Sequence, residues 1–263
     1  MLKDKKYFLF DIDGTLAVDD TIYEGSKALI ERIASIGGRS FYITNNSTKS
    51  RKDYVKKFER WGISTDEDQF VTASYAACLY LKQHFDGQKL FVMGTPSFEE
   101  ELRSWGLLTT TCADADVACV VVGFDATLNY DKVQNACRLL FRPDVTYVGT
   151  NPDYRCPTSY GFMPDCGGIC EMLKVTTDRE PYYIGKPNPD IVTMCMNQVG
   201  AKKEEVLVVG DRLYTDIACG LAAGVETALV YTGEAGPEDL KTTEYLPDYI
   251  YENILALYRD FCR

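Results

Sequence analysis

FLFDIDGTL, residues Phe8 to Leu16, decides how the rest of the chain is read. Its apolar start has the character of a buried strand. Gly14 marks the strand's end. Asp11 and Asp13 are therefore placed at the carboxyl end of a strand, where open α/β sheets bind their ligands. Two carboxylates so close repel, so a cation is expected between them. An EF-hand is excluded, because its loop has Gly at position six and acidic residues at one, three and five; here Gly is fourth and a strand precedes it.

Outward from this stretch, strands and helices alternate. Apolar runs at 7–10, 39–43, 89–93, 117–122, 145–148, 206–209 and 227–230 read as strands. Helical spacing marks 27–36, 50–61, 73–83, 97–105, 131–141, 191–199 and 214–223, and 251–261 reads as a closing helix. Alternation of this kind predicts an α/β fold of parallel sheets covered by helices. The Pro/Gly-rich stretch 151–168 is the longest without periodicity, and long loops in compact domains are commonly functional.

The formal net charge of -11 argues against a nucleic-acid or anionic-membrane partner. No apolar stretch is long enough to cross a bilayer. Ten cysteines raise the question of disulfides, yet Cys78, Cys137, Cys195 and Cys219 lie within apolar-periodic segments. Reduced, mostly buried thiols in a cytoplasmic protein are expected, since the chain runs from Met1 into its first strand without an apolar leader. Cys166 and Cys170 can share a helix face, but His84 is the only histidine, which disfavours zinc.

Three more segments place polar chemistry beside predicted elements. Thr44-Asn45-Asn46-Ser47 follows the strand 39–43. Gly185-Lys186-Pro187-Asn188-Pro189 precedes a helix. Val208-Val209-Gly210-Asp211-Arg212-Leu213-Tyr214-Thr215-Asp216 ends another strand in Gly-Asp, with a second aspartate five residues on. Alone, each reads as a polar turn, a surface lysine or a helix-start acid. Together, in this order, they resemble the four motifs of the haloacid dehalogenase-like hydrolase superfamily, across nearly the whole chain.

The resemblance implies a Rossmann-like parallel-sheet core. It implies Asp11 as nucleophile, Asp13 as general acid/base, Thr44 and Lys186 as phosphate ligands, Asn45 and Asn46 as further substrate-binding residues, and Asp211 as a metal ligand. Chemistry supports these roles. A carboxylate nucleophile splits phosphate-ester hydrolysis into formation and breakdown of an aspartyl-phosphate. An anion attacking an anion needs its charge neutralised, and Mg²⁺ suits one or two carboxylates plus substrate oxygen. Asp11, Asp211 and the Asp13 carbonyl fit that need, and Asp216 is a further candidate metal ligand.

Within the superfamily, ITNNS, VGTNPD, IGKPNPD and VVGDRLYTDI look like the NagD and 4-nitrophenylphosphatase-like branch. Dehalogenases generally lack the second aspartate of the first motif, and P-type pumps follow the nucleophile with Lys-Thr-Gly-Thr. The long insertion between Asn46 and Lys186 matches the class with an α/β cap there. Core at 1–80 and 182–263 and cap at 81–181 are expected by analogy. The function implied is a Mg²⁺-dependent phosphatase of small phosphorylated metabolites, of sugar phosphate, phosphoglycolate, nucleoside monophosphate or 4-nitrophenyl phosphate type. A phosphotransferase or mutase sharing the intermediate, and a non-catalytic phosphometabolite sensor, are the alternatives; the retained Asp11 disfavours the sensor. Whether the chain forms a homodimer is open. LAVDDTIYEGS lacks the proline common before its glycine in relatives, and MPDCGG replaces a more usual Pro-Gly-Ala/Ser-Gly run. Arg155, Tyr160 and Arg179 are candidate cap contacts to substrate.

Overall fold

The apolar run at Phe8 is covered on both faces. Phe8 and Phe10 pack with Leu29, Ile33, Tyr54, Phe58 and Leu257 on one side. Leu9 packs with Phe41, Val208, Ile191 and Cys195 on the other. A strand buried on both faces is read as continuous hydrophobicity, which is why this one was legible.

The structure, a computed structural model, describes residues 2–263. The first elements are β1 (Tyr7–Phe10), a small hairpin of β2 (Ala17–Val18) and β3 (Thr21–Ile22), α1 (Ser26–Ser35), β4 (Arg39–Thr44), α2 (Arg51–Arg60), β5 (Phe70–Thr72) and α3 (Ala73–Phe85). The middle of the chain forms β6 (Lys89–Met93), α4 (Pro96–Ser104), β7 (Leu108–Thr110), β8 (Val117–Val122), α5 (Tyr130–Leu140), β9 (Thr146–Gly149), the hairpin β10 (Arg155–Thr158) and β11 (Gly161–Pro164), α6 (Cys166–Thr177) and β12 (Tyr182–Tyr183). It closes with α7 (Asp190–Val199), β13 (Val206–Gly210), α8 (Ala218–Ala223), β14 (Glu226–Val230), β15 (Tyr249–Tyr251) and α9 (Ile254–Phe261).

Two parallel sheets result. The larger runs β15-β14-β13-β1-β4-β5 and is the Rossmann-like core. Its register sets Leu9 level with Phe41 and Val208. The smaller runs β12-β9-β8-β6-β7 and is inserted between β5 and β13. It is also covered on both faces: Ala77 and Leu81 of α3 pack with Phe98 and Leu102 of α4 on one side, and α5 and α6 cover the other. The strand Tyr182–Tyr183 pairs with β9, so this sheet extends two residues past the expected 81–181 bounds.

Three segments differ from expectation. The closing helix begins at Ile254, capped by Asn253, while Tyr251 belongs to the edge strand β15. Tyr-Ile-Tyr suits a strand, and only the residues beyond it carry the helical period. The expected helix 214–223 starts instead as a wide turn, Leu213–Ile217, in which the Ile217 N–H reaches the Arg212 carbonyl at 3.2 Å. The stretch 151–168 contains the hairpin β10–β11 and the start of α6. Glycines hid that helix by lowering its propensity. They serve contact instead: a Cβ on Gly167 would lie 2.1 Å from the Pro152 carbonyl oxygen.

The expected buried thiols are present: Cys78, Cys195 and Cys219 are reduced and buried, and Cys137 is half-buried. Cys166 and Cys170 do share a helix face, with sulfurs 3.9 Å apart. Among the described residues, no helix is long and apolar enough to cross a membrane.

Candidate active site

Asp11 follows β1, the strand flanked by β13 and β4, and its N–H continues the ladder to the Val209 carbonyl at 2.8 Å. Of the flanking strands, β13 is followed by Asp211 and β4 ends in Thr44. Three of the sequence segments are thus brought together by strand order alone. Gly14 then lets the chain turn with φ of 106°. A Cβ there would also sit 2.7 Å from the Asp211 carboxylate, so glycine serves both the turn and the close approach. Thr15 Oγ1 donates to Asp211 Oδ1 at 3.3 Å, and the Glu234 N–H donates to Asp211 Oδ2 at 2.8 Å.

Lys186 comes from the fourth segment and is 2% exposed. Its Nζ is 2.7 Å from Asp11 Oδ1 and 2.6 Å from Asp216 Oδ1, and it donates to the Ile43 carbonyl at 3.0 Å. The wide turn at Leu213 swings Asp216 back to meet it, with the Arg212 N–H donating to Asp216 Oδ2 at 3.0 Å. Burial holds the Asp11 carboxyl well above the usual carboxylate range, although Lys186 opposes the shift. Burial pushes Asp211 up to about 6; Arg212 pulls it back and the charge of Asp216 raises it. Burial lowers the Lys186 ammonium, but the charges of Asp11 and Asp216 outweigh it and raise the group.

Asp11, Asp211 and Asp216 each place a carboxylate oxygen within 4.8 Å of the others, and all three are buried. Lys186 alone does not balance three carboxylates. The neighbouring Arg212 is committed elsewhere, 2.7 Å from Asp153 Oδ2 and 3.1 Å from Glu234 Oε2. A buried, all-oxygen cluster with surplus negative charge fits a hard divalent cation. The Asp13 side chain stands apart from that cluster, between Lys57 and Asn46.

The asparagines have distinct environments. Asn45 Oδ1 accepts from the Lys186 N–H at 2.8 Å, and its Nδ2 donates to the Lys186 carbonyl and to Asp153 Oδ2. Asn45 therefore reaches the site by gripping the Lys186 segment. Thr44 Oγ1 accepts from the Asn46 N–H at 3.1 Å, closing the turn after β4. Beside Asp13 lies a cavity of about 260 Å³, lined by Asp19, Asn46, Lys57, Phe124, Cys156 and Met163 among others.

The cap candidates part ways. Arg155 stands near the core, 3.2 Å from Glu234 Oε1 and over the Phe162 ring. Tyr160 is exposed at the turn of the β10–β11 hairpin. Arg179 donates to the carbonyls of Leu140, Arg142 and Val145, so it ties the end of α5 to the approach of β9 and is a structural residue. Lys57, Arg212 and Asp153 were not anticipated. Lys57 did leave a signal: it falls on the buried stripe of α2 with Tyr54 and Phe58. A lysine at such a position needs a partner. Arg212 and Asp153 meet only through the fold.

Known proteins share this fold. A family model described as haloacid dehalogenase-like hydrolase matches residues 8–108, and one described as HAD-hydrolase-like matches residues 183–257. The chain belongs to the haloacid dehalogenase-like hydrolase family. Within it, the match is to the NagD and 4-nitrophenylphosphatase branch. A 4-nitrophenylphosphatase from Thermotoga maritima superposes with a TM-score of 0.90 at 34% identity, covering 99% of this chain and 98% of its own. NagD from E. coli superposes at 0.83 with 30% identity, covering 95% and 97%. An acid sugar phosphatase of Staphylococcus aureus is 32% identical over 96% of each chain.

Proposed function

We propose that this hydrolase is a Mg²⁺-dependent phosphatase that takes small phosphate monoesters through an aspartyl-phosphate on Asp11, working in the cytoplasm. One observation carries the reading: the buried Asp11 carboxylate contacts Lys186 within a three-aspartate cluster, while Asp13 faces a cavity large enough for a small leaving group.

Asp11 Oδ attacks phosphorus, and the bond from phosphorus to the ester oxygen breaks. Asp13 gives its proton to that oxygen, and the alcohol leaves. Asp13 then takes a proton from a water whose oxygen attacks the same phosphorus, which frees inorganic phosphate and restores Asp11. Lys186 orients Asp11 and sets positive charge against the phosphoryl oxygens, with Thr44 and the loop after it beside them. Asp11, Asp211 and the Asp13 carbonyl, with Asp216 nearby, would hold Mg²⁺, which when bound would neutralise the charge that builds on the phosphoryl group. Residues 81–181, as the cap, roof this site and exclude water from the transfer. The names of the relatives support small esters such as sugar phosphates and 4-nitrophenyl phosphate.

Stripping the protein with EDTA and restoring Mg²⁺ tests the reading. Phosphate release is expected to vanish and return. Full activity in the metal-free protein rejects the metal's part, and no phosphate release from any small monoester with Mg²⁺ present rejects the whole.

A further inference from the structure

The side chain of Lys57 is 3% exposed, and its Nζ lies 3.3 Å from Asp13 Oδ1. It rises from the apolar stripe of α2 beside Trp61, whose ring centroid is 5.0 Å away. Burying an ammonium is costly unless a charge compensates it, and here the partner is the aspartate assigned to proton transfer. The other carboxylate oxygen is held from a different element. Asn46 Oδ1 accepts both the Thr48 N–H at 2.9 Å and the Thr48 hydroxyl at 2.6 Å, which fixes how its amide lies. Its Nδ2 is thereby turned to Asp13, 3.4 Å from Oδ2. Each Asp13 oxygen therefore has one donor, one from a helix and one from the loop after β4.

We propose that Lys57 and Asn46 form a two-point clamp that aims the Asp13 carboxyl at the leaving-group oxygen, with Lys57 the stronger arm. Both are positioning residues, acting through Asp13. This rests on the reading of Asp13 as the acid/base. A proton donor works only at hydrogen-bonding distance and alignment, and a displacement of about 1 Å can cost on the order of a hundredfold. Lys57 and Asn46 both line the 260 Å³ cavity, so the clamp stands on the side where the alcohol departs.

The clamp has a signature that a purely structural lysine lacks. An alkyl alcohol leaves poorly without a proton, whereas 4-nitrophenolate leaves well without one. Loss of the clamp must therefore harm alkyl esters more. The experiment measures kcat/KM for glycerol phosphate and for 4-nitrophenyl phosphate in the wild-type enzyme, Lys57→Met, Lys57→Arg and Asn46→Ala, all with Mg²⁺. Lys57→Met is expected to lose about tenfold more on the alkyl ester than on the aryl ester. Lys57→Arg should remove most of that skew, and Asn46→Ala should show a smaller skew of the same sign. Equal fractional losses on both esters overturn the clamp. If Lys57→Met does not fold, Asn46→Ala decides alone: a skew supports the clamp, and an equal loss, the mark of a plain phosphate ligand, overturns it. A wild-type enzyme that releases phosphate from no alkyl or aryl monoester with Mg²⁺ present overturns the phosphatase reading and the clamp with it.

Discussion

The two sheets share an architecture and divide the work. Each is parallel, and each is buried on both faces by helices. Their strand ends differ in chemistry. In the core, β1, β4 and β13 run into Asp11, Thr44 and Asp211. In the smaller sheet, β6, β8 and β9 run into Gly94-Thr95, Gly123-Phe124 and Thr150, none of them charged, and the buried Asp125 that follows Phe124 is paired with Lys132 at 2.5 Å. These neutral ends meet the core's own loop: Thr95 Oγ1 donates to the Thr48 carbonyl, the Phe124 N–H donates to Ser47 Oγ, and the hydroxyls of Thr150 and Ser47 are 3.1 Å apart. One set of strand ends thus carries the aspartate cluster, and the other meets the loop after β4 with a wall of neutral groups. Sheet topology makes a place for a ligand, but the side chains at that place decide whether it reacts.

Replacing a reactive group should separate chemistry from fold most sharply. Asp11→Asn keeps the shape but cannot form the acyl-phosphate. Phosphate release is expected to drop by about four orders of magnitude or more, with the thermal midpoint at or above that of the wild type, because the unfavourable burial of a third carboxylate is relieved. Near-normal turnover in the folded variant would show that the charged ends are not where the reaction occurs.

The next largest effect is expected at the seam. Arg212 is buried and bridges the two halves: it meets Asp153 at 2.7 Å and Glu234 at 3.1 Å, and it donates to the Arg155 carbonyl at 3.0 Å. Arg212→Met leaves Asp153 without its cation. Breaking a buried pair from one side costs about 3–5 kcal/mol, read as a fall in the unfolding free energy in urea. A loss under about 1 kcal/mol, as for an exposed pair, would mean that the halves are seated by their apolar and hydroxyl contacts instead.

How far the sequence could be read follows the same division. The core strands were legible because full burial writes uninterrupted apolar runs, and Asp11, Asp211 and Lys186 were legible because each sits beside such a run or a helix start. The hairpin β10–β11 was not, since two short strands with Pro164 and Gly161 carry no period. Its structure depends on what it lies against, including the Asp19 carboxylate that accepts from the Ser159 N–H at 2.8 Å. Asp13 and Asn46 could be picked out as candidate site residues, but their contact could not: it depends on Thr48 fixing an amide and on α2 delivering Lys57. Side-chain pairing across elements has no one-dimensional signal here.

A pH titration probes an acid on the wall side. Asp165 caps α6 and is buried beside Asp153, with Asn151 Nδ2 donating to it at 3.1 Å and the Cys166 N–H also bonded to it. Burial pushes it up to about 7, the charge of Asp153 adds to the shift, and its hydrogen bonds and Arg212 oppose it. The folded protein therefore binds this proton more tightly than the unfolded chain. Asp165's contribution is most favourable below pH ~4, declines as pH rises through ~7, and is level above that. Asp165→Asn retains an oxygen to cap the helix and removes the titration. Its unfolding free energy is expected to exceed that of the wild type by roughly a few kcal/mol at pH 8, with the difference shrinking toward pH 5. A difference independent of pH would place the ionised Asp165 at ease, and the uncompensated acid would not exist.

The smallest expected effect tests the wall directly. Gly123 follows β8, and a Cβ there would stand 2.9 Å from Ser47 Oγ and 3.2 Å from the Phe98 ring. The hydroxyl cannot turn away freely, because it accepts from the Phe124 N–H and pairs with Thr150. Gly123→Ala must therefore move the end of β8 from the loop after β4 by a few tenths of an ångström or break one of those bonds. A lost hydrogen bond of this kind is worth about 1 kcal/mol. Activity should respond through that loop, since Thr44 and Asn46 begin it: KM for a small ester is expected to rise about fivefold with kcat little changed. An unaltered KM would mean that the wall's position does not matter to the phosphoryl side of the site. A fall in kcat alone would mean that the wall reaches the chemistry itself, and the division between a reacting sheet and an enclosing one would have to be redrawn.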